Sequence, residues 1–208
     1  MRTRVKICGI TRAEDAHLAV HAGVDAIGLV FYEKSPRYVT TQQALEISQQ
    51  IPAFVGCVAL FKDADEGMVQ SVLDKVAIDL IQFHGSESPD FCERFNISYI
   101  KALGMKGPEC DANYLMANAN KYHSAKALLL DSHAPGMAGG TGEVFDWSSI
   151  ADVDMPIILA GGLNPENVRH AIEIAKPFAV DVSSGVESEP GIKDKEKVER
   201  FMQQAACL

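Results

Sequence analysis

Residues 4–31, RVKICGITRAEDAHLAVHAGVDAIGLVF, contain the pattern that decides the fold. A short apolar run at residues 5–8 is followed by an amphipathic helical pattern at 12–22 and by a second apolar run at 26–31. Neighbouring strands that run parallel need a long return connection, which is usually a right-handed helical crossover. The stretch therefore predicts a strand, a helix and a second strand parallel to the first.

The same alternation continues along the rest of the chain. Eight apolar runs predict strands, at residues 5–8, 26–31, 54–61, 78–83, 98–102, 127–131, 156–160 and 178–182. Helical patterns separate most of them, at residues 12–22, 41–50, 67–76, 165–175 and 194–205, whereas glycine, proline and asparagine obscure any helix at 104–122. Eight units without an obvious linker favour an α/β fold, a closed (β/α)8 or TIM barrel that forms a single domain over residues 1–208. An open α/β sheet is the alternative.

Two side chains are expected to cap helices. Thr11 stands before the segment RAEDA, and its hydroxyl suits an N-cap position. Asn164 stands before Pro165, whose fixed φ angle suits the first helical position. Both positions therefore predict helix starts.

Composition and charge argue against several classes of function. The chain has 208 residues and a formal net charge of -9, so broad binding to nucleic acid, which needs clustered lysine and arginine, is not expected. No apolar run is long enough to cross a bilayer, and the N-terminus lacks a signal-peptide pattern, so we expect no membrane role and no export by that route. The five scattered cysteines form no zinc or redox motif, which indicates reduced thiols in a cytoplasm. The sequence has no coiled-coil heptads, and we expect a monomer.

In a barrel of this kind the chemistry lies at the carboxyl ends of the strands. The unusual residues of this sequence follow those ends: Cys8 and Gly9, SPR at 35–37, QFHG at 82–85, DSHAPGMAGGTG at 131–142, AGGL at 160–163 and SSGVE at 183–187. One rim of the barrel should therefore collect all six segments.

Each rim segment has a functional and an ordinary interpretation. The turns at 160–163 and 183–187 predict a phosphate site, because glycine lets backbone N–H groups approach an oxyanion, although either turn alone could be structural. Arg37, on a loop stiffened by proline, suits a carboxylate or is a solvated charge. His84 either contacts substrate or forms hydrogen bonds within the rim. Residues 136–142 are either a lid that contributes N–H donors over a ligand or a loose surface connection.

Six segments resemble, in order, the motifs of the phosphoribosylanthranilate isomerase family of tryptophan biosynthesis: KICGIT, VDAIGLVFYEKSPRYV, IQFHG, LLLDSHAPGMAGGTGEVFDW, LAGGLNPENVRHAI and DVSSGVESEPGIKD. They extend from residue 6 to about residue 194, nearly the whole chain. The resemblance implies a (β/α)8 barrel that converts a small phosphosugar, N-(5-phosphoribosyl)anthranilate, to the corresponding 1-deoxyribulose phosphate. This Amadori rearrangement needs no cofactor and no metal.

The resemblance also implies roles for individual residues. By position, Cys8 resembles the general base and Asp131 the general acid of the family. Arg37 resembles the residue that holds the anthranilate carboxylate. The phosphate cradle would be formed by Gly161, Gly162, Ser184 and Gly185. We also place His84, Gly142 and Asp181 in the substrate-binding set, and His84 has no assigned role within it.

The assigned acid and base make a demand on their pKa values. The reaction needs a protonated Asp131 together with a Cys8 thiolate. An ordinary aspartate has a lower pKa than an ordinary cysteine, which favours the opposite pair, a carboxylate plus a thiol, by roughly 6 kcal/mol. We therefore expect the site to raise the pKa of Asp131 more than that of Cys8. Because side chains alternate along a strand, Lys6 should share the inner face with Cys8 and pair with Asp181 on the neighbouring eighth strand.

Three other functions fit part of the pattern. Cys8 could be a covalent nucleophile, although such a thiol normally has a histidine within reach. A related sugar-phosphate isomerase is the nearest alternative, but such relatives usually pair two carboxylates. The barrel could also bind phosphosugars without converting them. Trapping of a covalent adduct would favour the nucleophile over an acid–base isomerase. Tight binding of substrate without turnover would favour the binding protein.

Overall fold

The computed structural model describes residues 2–107, 109–132, 145–150 and 153–206. Eight parallel strands close into a barrel in chain order, and the first pairs with the eighth. They are β1 (Arg4–Cys8), β2 (Ala26–Val30), β3 (Gly56–Phe61), β4 (Leu80–Phe83), β5 (Tyr99–Gly104), β6 (Leu128–Asp131), β7 (Ile157–Leu159) and β8 (Ala179–Val182). Every run predicted as a strand forms one, so the TIM barrel is confirmed and the open sheet is wrong.

Helices lie between the strands and cover the barrel. Over the described residues they are α1 (Ala13–His21), α2 (Thr41–Ser48), α3 (Glu66–Leu73), α4 (Pro89–Cys92), α5 (Ala112–Lys121), α6 (Val168–Ala175) and α7 (Lys195–Ala206). Helix α5 lies in the stretch whose pattern is obscured, and Asp111 caps it by accepting a hydrogen bond from the N–H of Tyr114 at 2.9 Å. Within this part of the chain, no helix is both long and apolar enough to cross a bilayer.

Alternating side chains along the strands divide the core into two layers. Val5 and Ile7 of β1 pack outward against the helices, whereas Cys8 belongs to a cluster inside the barrel. Around β5 to β8 the interior is filled by small and branched side chains: Ile100, Ala102, Ala127, Leu129, Ile158, Ala160 and Ala179. The barrel is therefore a packed core whose polar inner positions lie towards the carboxyl ends of the strands.

A short antiparallel hairpin follows β8, and the sequence patterns do not predict it. Strand β9 (Glu187–Glu189) pairs with β10 (Ile192–Lys193). The expected helix cap at Thr11 is wrong, because its hydroxyl donates to the carbonyl of Gly191 at 2.6 Å and the N-cap residue Arg12 makes no side-chain cap. The hydroxyl instead ties the loop after β1 to this hairpin.

The predicted cap at Asn164 acts on a turn that precedes α6. Its side-chain oxygen accepts hydrogen bonds from the N–H groups of Glu166 at 2.9 Å and Asn167 at 3.1 Å. The helix itself begins at Val168, later than the expected start at Pro165. Asn164 therefore orders the connection from β7 into the helix.

Candidate active site

A cavity opens at the carboxyl ends of the strands. Cys8 and Asp131 are the last residues of β1 and β6, and Ser183 directly follows β8. The cavity is lined by Cys8, Val30, Tyr32, Lys34, Ser35, Pro36, Arg37, Leu60, Lys62, Gln82, His84, Asp131, Asp181 and Ser183. The structure thus brings the predicted residues Cys8, Arg37, His84, Asp131 and Asp181 together around one cavity.

The predicted phosphate residues lie on the same rim but outside the wall of this cavity. Gly161 and Gly162 follow β7 with left-handed φ angles of 79° and 66°. No hydrogen bond joins either of their backbone N–H groups to another described residue. Ser184 begins a 3-10 turn after β8, in which Gly185 packs directly against the carbonyl of Leu163. The turns after β7 and β8 are therefore in contact.

Lys6 and Asp181 form an ion pair inside the barrel. They are register partners on β1 and β8, and the Lys6 Nζ lies 3.0 Å from the Asp181 Oδ1 with both side chains buried. This confirms the expected pair. A Cβ atom on Gly28, the β2 partner of Cys8, would lie 2.7 Å from the Cys8 Sγ and 3.0 Å from the Lys6 Nζ. Glycine on β2 therefore leaves the space that the thiol and the ammonium group occupy.

The ion pair sets the electrostatic environment of the Cys8 thiol. Burial raises the pKa of Cys8, the Lys6 ammonium lowers it, and the net shift is upward. Burial acts to lower the pKa of Lys6, but Asp181 and Cys8 outweigh it, so Lys6 keeps its charge. The pKa of Asp181 is raised, chiefly by burial and further by the nearby Asp131, against the opposing effect of Lys6. These shifts favour the thiol form of Cys8, beside the positive charge of Lys6.

His84 lies between an amide and a carboxylate. The Gln82 Nε2 is 3.0 Å from the His84 Nδ1, and the His84 Nε2 is 3.5 Å from the Asp131 Oδ2. With the amide NH2 donating to Nδ1, the ring proton of neutral His84 is on Nε2 and faces Asp131. Gln82 is fully buried, and its Oε1 has no hydrogen-bond partner among the described residues. Among the described residues, the site therefore contains a buried acceptor without a partner on the side chain that contacts His84.

A buried ion pair supports the loop that carries His84. The Lys101 Nζ lies 3.1 Å from the Glu87 Oε2 and donates to the carbonyl of Gly85 at 2.6 Å. Glu87 also accepts a hydrogen bond from the N–H of Gly85 at 2.9 Å. Both charged side chains are almost fully buried. In the turn after β4, the backbone N–H of Gly85 is thus bound by Glu87 and its carbonyl by Lys101.

Arg37 reaches the cavity from the loop after β2. Its Nε and Nη2 donate to the two carboxylate oxygens of Glu187, each at 2.8 Å. Its aliphatic stem packs on Gly9, where a Cβ atom would collide with it and where φ is 72°. The expected carboxylate-binding residue is therefore already fixed in place by a carboxylate of the protein itself.

An apolar surface lies in the same cavity as Arg37. Val30 and Leu60 pack with Cys8, and Tyr32 packs against that cluster. These side chains come from the ends of β2 and β3 and from the loop after β2. A planar aromatic group could pack on this apolar surface, and the cation Arg37 lies in the wall of the same cavity.

Comparison with known proteins shows what this chain resembles. A model of the family described as N-(5'phosphoribosyl)anthranilate (PRA) isomerase matches residues 5–204. The chain belongs to this family. An N-(5'-phosphoribosyl)anthranilate isomerase from Acinetobacter calcoaceticus is 50% identical over 213 residues, covering 100% of this chain and 98% of that protein.

Solved structures of PRA isomerases share the fold. The phosphoribosyl anthranilate isomerase of Thermotoga maritima superposes with a TM-score of 0.86 and 40% identity, covering 99% of this chain and 100% of that one. A second PRA isomerase structure, in complex with reduced 1-(o-carboxyphenylamino)-1-deoxyribulose 5-phosphate, has a TM-score of 0.83 and 39% identity, with coverage of 99% and 100%. This chain is accordingly an isomerase of tryptophan biosynthesis, and the resemblance seen in the sequence is confirmed.

Sequence reasoning did not identify several residues in the wall of the cavity or in contact with its lining residues. Gln82, Glu187 and Lys193 were not singled out, although all three lie within or beside motif segments. Ser183 was passed over in favour of Ser184, yet it is Ser183 that lines the cavity, with a buried hydroxyl that has no partner in the described part of the chain. Gly142 and the proposed lid at 136–142 lie outside the described residues.

Proposed function

We propose that this isomerase acts by general acid–base catalysis, with Cys8 as the base and Asp131 as the acid. The observation that carries the proposal is their placement at the ends of β1 and β6, which are three strands apart around the barrel, in the wall of one cavity. The two proton transfers of the rearrangement occur at different substrate atoms. An acid and a base on different sides of one cavity suit that requirement.

The chemistry proceeds by opening and then isomerising the sugar of N-(5-phosphoribosyl)anthranilate. Asp131 donates a proton to the ribose ring oxygen while the C1–O bond breaks, and the lone pair of the aryl nitrogen forms an iminium ion. The Cys8 thiolate then removes the proton from C2, which gives an enolamine. Protonation at C1 and loss of the O2 proton give the ketone, 1-(2-carboxyphenylamino)-1-deoxyribulose 5-phosphate. The cycle closes when Asp131 regains a proton and Cys8 loses one.

The charged residues around the pair bear on its protonation. The Lys6 ammonium favours the thiolate form of Cys8. Coupling between like charges acts on both partners, so the interaction that raises the pKa of Asp181 also favours a protonated Asp131. Both effects reduce the difference between the pKa of Cys8 and the pKa of Asp131. Because burial shifts the pKa of Cys8 upward, the proposal requires a larger upward shift at Asp131.

The two ends of the substrate would bind at different parts of the rim. We place the anthranilate ring on Val30, Tyr32 and Leu60, with its carboxylate on Arg37. The phosphate would accept hydrogen bonds from the turns that contain Gly161, Gly162, Ser184 and Gly185. The ligand of the solved relative carries both a carboxyphenyl group and a phosphate, which is consistent with a site of two such ends.

The other predicted site residues take supporting roles in this proposal. His84 would present its Nε2–H to the Asp131 carboxyl group, which orients the acid. Asp181 would act through Lys6 while its side chain lines the cavity. The segment 136–142, which includes Gly142, would supply N–H donors over the bound substrate.

Assembly and location complete the proposal. We propose a single domain over residues 1–208 that works in the cytoplasm, as the five scattered cysteines indicate, and as a monomer, because the sequence has no coiled-coil heptads. The Thermotoga maritima relative is described as dimeric, so a dimer is the competing state. Sedimentation velocity at several protein concentrations distinguishes the two, and a dimer that persists on dilution would contradict the monomer.

The test of the acid–base assignment is the activity of Cys8→Ala and Asp131→Asn. Loss of anthranilate-type fluorescence follows consumption of substrate made in situ. Both variants are expected to lose at least about 100-fold in kcat while keeping the circular dichroism spectrum of the wild type. A folded Cys8→Ala or Asp131→Asn enzyme with near wild-type kcat would contradict the assigned role. A covalent substrate adduct on Cys8, seen by mass spectrometry, would favour the nucleophile instead.

A further inference from the structure

Three charged side chains meet at the cavity wall, where only Arg37 lines the cavity itself. Arg37 comes from the loop after β2, whereas Glu187 and Lys193 come from the two strands of the hairpin that follows β8. The side chains of Glu187 and Lys193 are 5% and 0% exposed, and that of Arg37 is 15% exposed. The cluster combines two basic side chains and one acidic side chain at the edge of a cavity for which the proposed substrate is an anion. Burial lowers the pKa of Lys193, against the opposing effect of Glu187.

Glu187 binds one particular edge of the Arg37 guanidinium group. The guanidinium has five N–H donors, and Glu187 takes the Nε–H and one Nη2–H in a side-on fork with both distances at 2.8 Å. No hydrogen bond joins the end formed by Nη1 and the second Nη2–H to another described residue, so that end can bind a further acceptor. A carboxylate matches that end with two parallel hydrogen bonds. Because Arg37 lines the cavity, one side chain can bind Glu187 and a substrate carboxylate together.

Glu187 is itself held in a fixed position. The Lys193 Nζ donates to the Glu187 Oε1 at 2.9 Å, to the carbonyl of Cys8 at 2.7 Å and to the carbonyl of Ser183 at 3.2 Å. All three ammonium protons are thus directed at acceptors on β1, at the end of β8 and on the hairpin. Burial acts to raise the pKa of Glu187, but Arg37 and Lys193 outweigh it and the net shift is downward, so Glu187 keeps its charge.

We infer that Glu187 is a positioning residue that aims the free end of Arg37 at the carboxylate of the substrate. Glu187 binds the side of the guanidinium, Gly9 supports its stem, and Lys193 anchors Glu187 to the strand that ends in Cys8. The inference rests on the proposed role of Arg37 in substrate binding. It adds that the direction of Arg37 is set by an acid contributed by the hairpin.

A purely structural ion pair would have different consequences. A buried pair can be nearly neutral for stability, and breaking it affects the fold whether or not a substrate carboxylate is present. A positioning residue affects the reaction only through Arg37. Removal of Glu187 should therefore slow the reaction only of substrates that carry the carboxylate, and only in proteins that retain Arg37.

A double-mutant cycle tests this distinction, with steady-state kinetics of wild type, Glu187→Gln, Arg37→Ala and the double variant. Glu187→Gln is expected to lower kcat/KM at least about 10-fold, mainly through KM, because a misdirected arginine loses oriented hydrogen bonds. In the Arg37→Ala background the same change is expected to cost less than about 2-fold. Glu189→Gln makes the same change of charge at an exposed position of the same hairpin and serves as the matched control.

Two further measurements keep the test decisive. With N-(5-phosphoribosyl)aniline, which lacks the carboxylate, the effect of Glu187→Gln should disappear. If Glu187→Gln does not fold, Glu187→Asp keeps the charge, shortens the side chain and should show the same dependence on Arg37. Equal losses in both Arg37 backgrounds, or with both substrates, would overturn the inference. A near wild-type Arg37→Ala enzyme would instead refute the proposed role of Arg37 itself.

Discussion

The Lys6 Nζ lies 3.0 Å from the Asp181 Oδ1 inside the barrel, on the two strands whose pairing closes it. Lys6 also shares the inner face of β1 with Cys8, and its charge favours the thiolate of Cys8. The same ion pair therefore lies across the β1–β8 pairing that closes the barrel and affects the pKa of the candidate base. The consequences can be measured separately as stability and as pH dependence.

Replacing Lys6 by methionine should affect both properties. Without the ammonium group the pKa of Cys8 rises further, so the rising limb of the kcat/KM profile should move to higher pH. The free energy of unfolding should fall by about 3 to 5 kcal/mol, because Asp181 is left buried and unpaired.

The double variant Lys6→Met with Asp181→Asn separates these effects. It removes both charges and should recover much of the stability measured by urea unfolding. Because Asp181 raises the pKa of Cys8, its removal should also return the pH profile part of the way towards that of the wild type. A kcat/KM profile of Lys6→Met alone that matches the wild type would show that Lys6 acts on the fold and has no electrostatic effect on Cys8.

The space beside Cys8 gives a second prediction. Gly28→Ala would place a methyl group about 2.7 Å from the Cys8 Sγ, so the thiol and Lys6 must move, and kcat should fall at least about 10-fold. Gly56→Ala on the neighbouring strand is the matched control, because its Cβ would meet the Ala26 Cβ at an ordinary 3.6 Å. Comparable losses of kcat in both variants would contradict a specific effect on Cys8.

We expect the amide of Gln82 to select the tautomer of His84. In Gln82→Leu the amide donor to Nδ1 is lost, so the ring proton should redistribute between the two nitrogens and kcat should fall about 10-fold. The 15N chemical shifts of the His84 ring report the tautomer directly. Gln70→Leu changes an exposed glutamine and should alter neither kcat nor the 15N chemical shifts of the His84 ring. Unchanged His84 shifts in Gln82→Leu would show that the amide does not select the tautomer.

Stability at acid pH should depend on Glu187. Its folded pKa lies below the ordinary glutamate value, so its ionised form stabilises the fold above the unfolded pKa, and this contribution is lost as pH falls through the folded pKa. Urea unfolding from neutral pH to about pH 3 should show Glu187→Gln less stable than wild type at neutral pH, with the difference shrinking in acid. A difference that grows in acid would contradict this sign.

The strands and the Lys6–Asp181 pair could be predicted because both depend on local patterns. Buried runs between turns mark the strands, and the two-residue period places Lys6 and Asp181 on inner faces that adjoin when the barrel closes. The same period separates Lys6 and Cys8 from Val5 and Ile7, which face the helices.

The hairpin could not be predicted in this way. Its strands at 187–189 and 192–193 are short and rich in charged residues, so no apolar run marks them. Glu187 finds its partner Arg37 at a separation of 150 residues, which only the closed fold brings together. Thr11 illustrates the same limit, since a favourable cap residue instead uses its hydroxyl to bind a carbonyl of the hairpin.

The protonation state of Asp131 with a product analogue bound is the most direct test of the acid–base account. Carboxyl 13C NMR, with Asp131→Asn used to assign the signal, would follow the titration in the presence of reduced 1-(o-carboxyphenylamino)-1-deoxyribulose 5-phosphate. We expect the pKa of Asp131 to lie far enough above its ordinary value that a substantial protonated fraction persists near neutral pH. An Asp131 that is fully ionised at neutral pH in this complex would contradict its role as the acid.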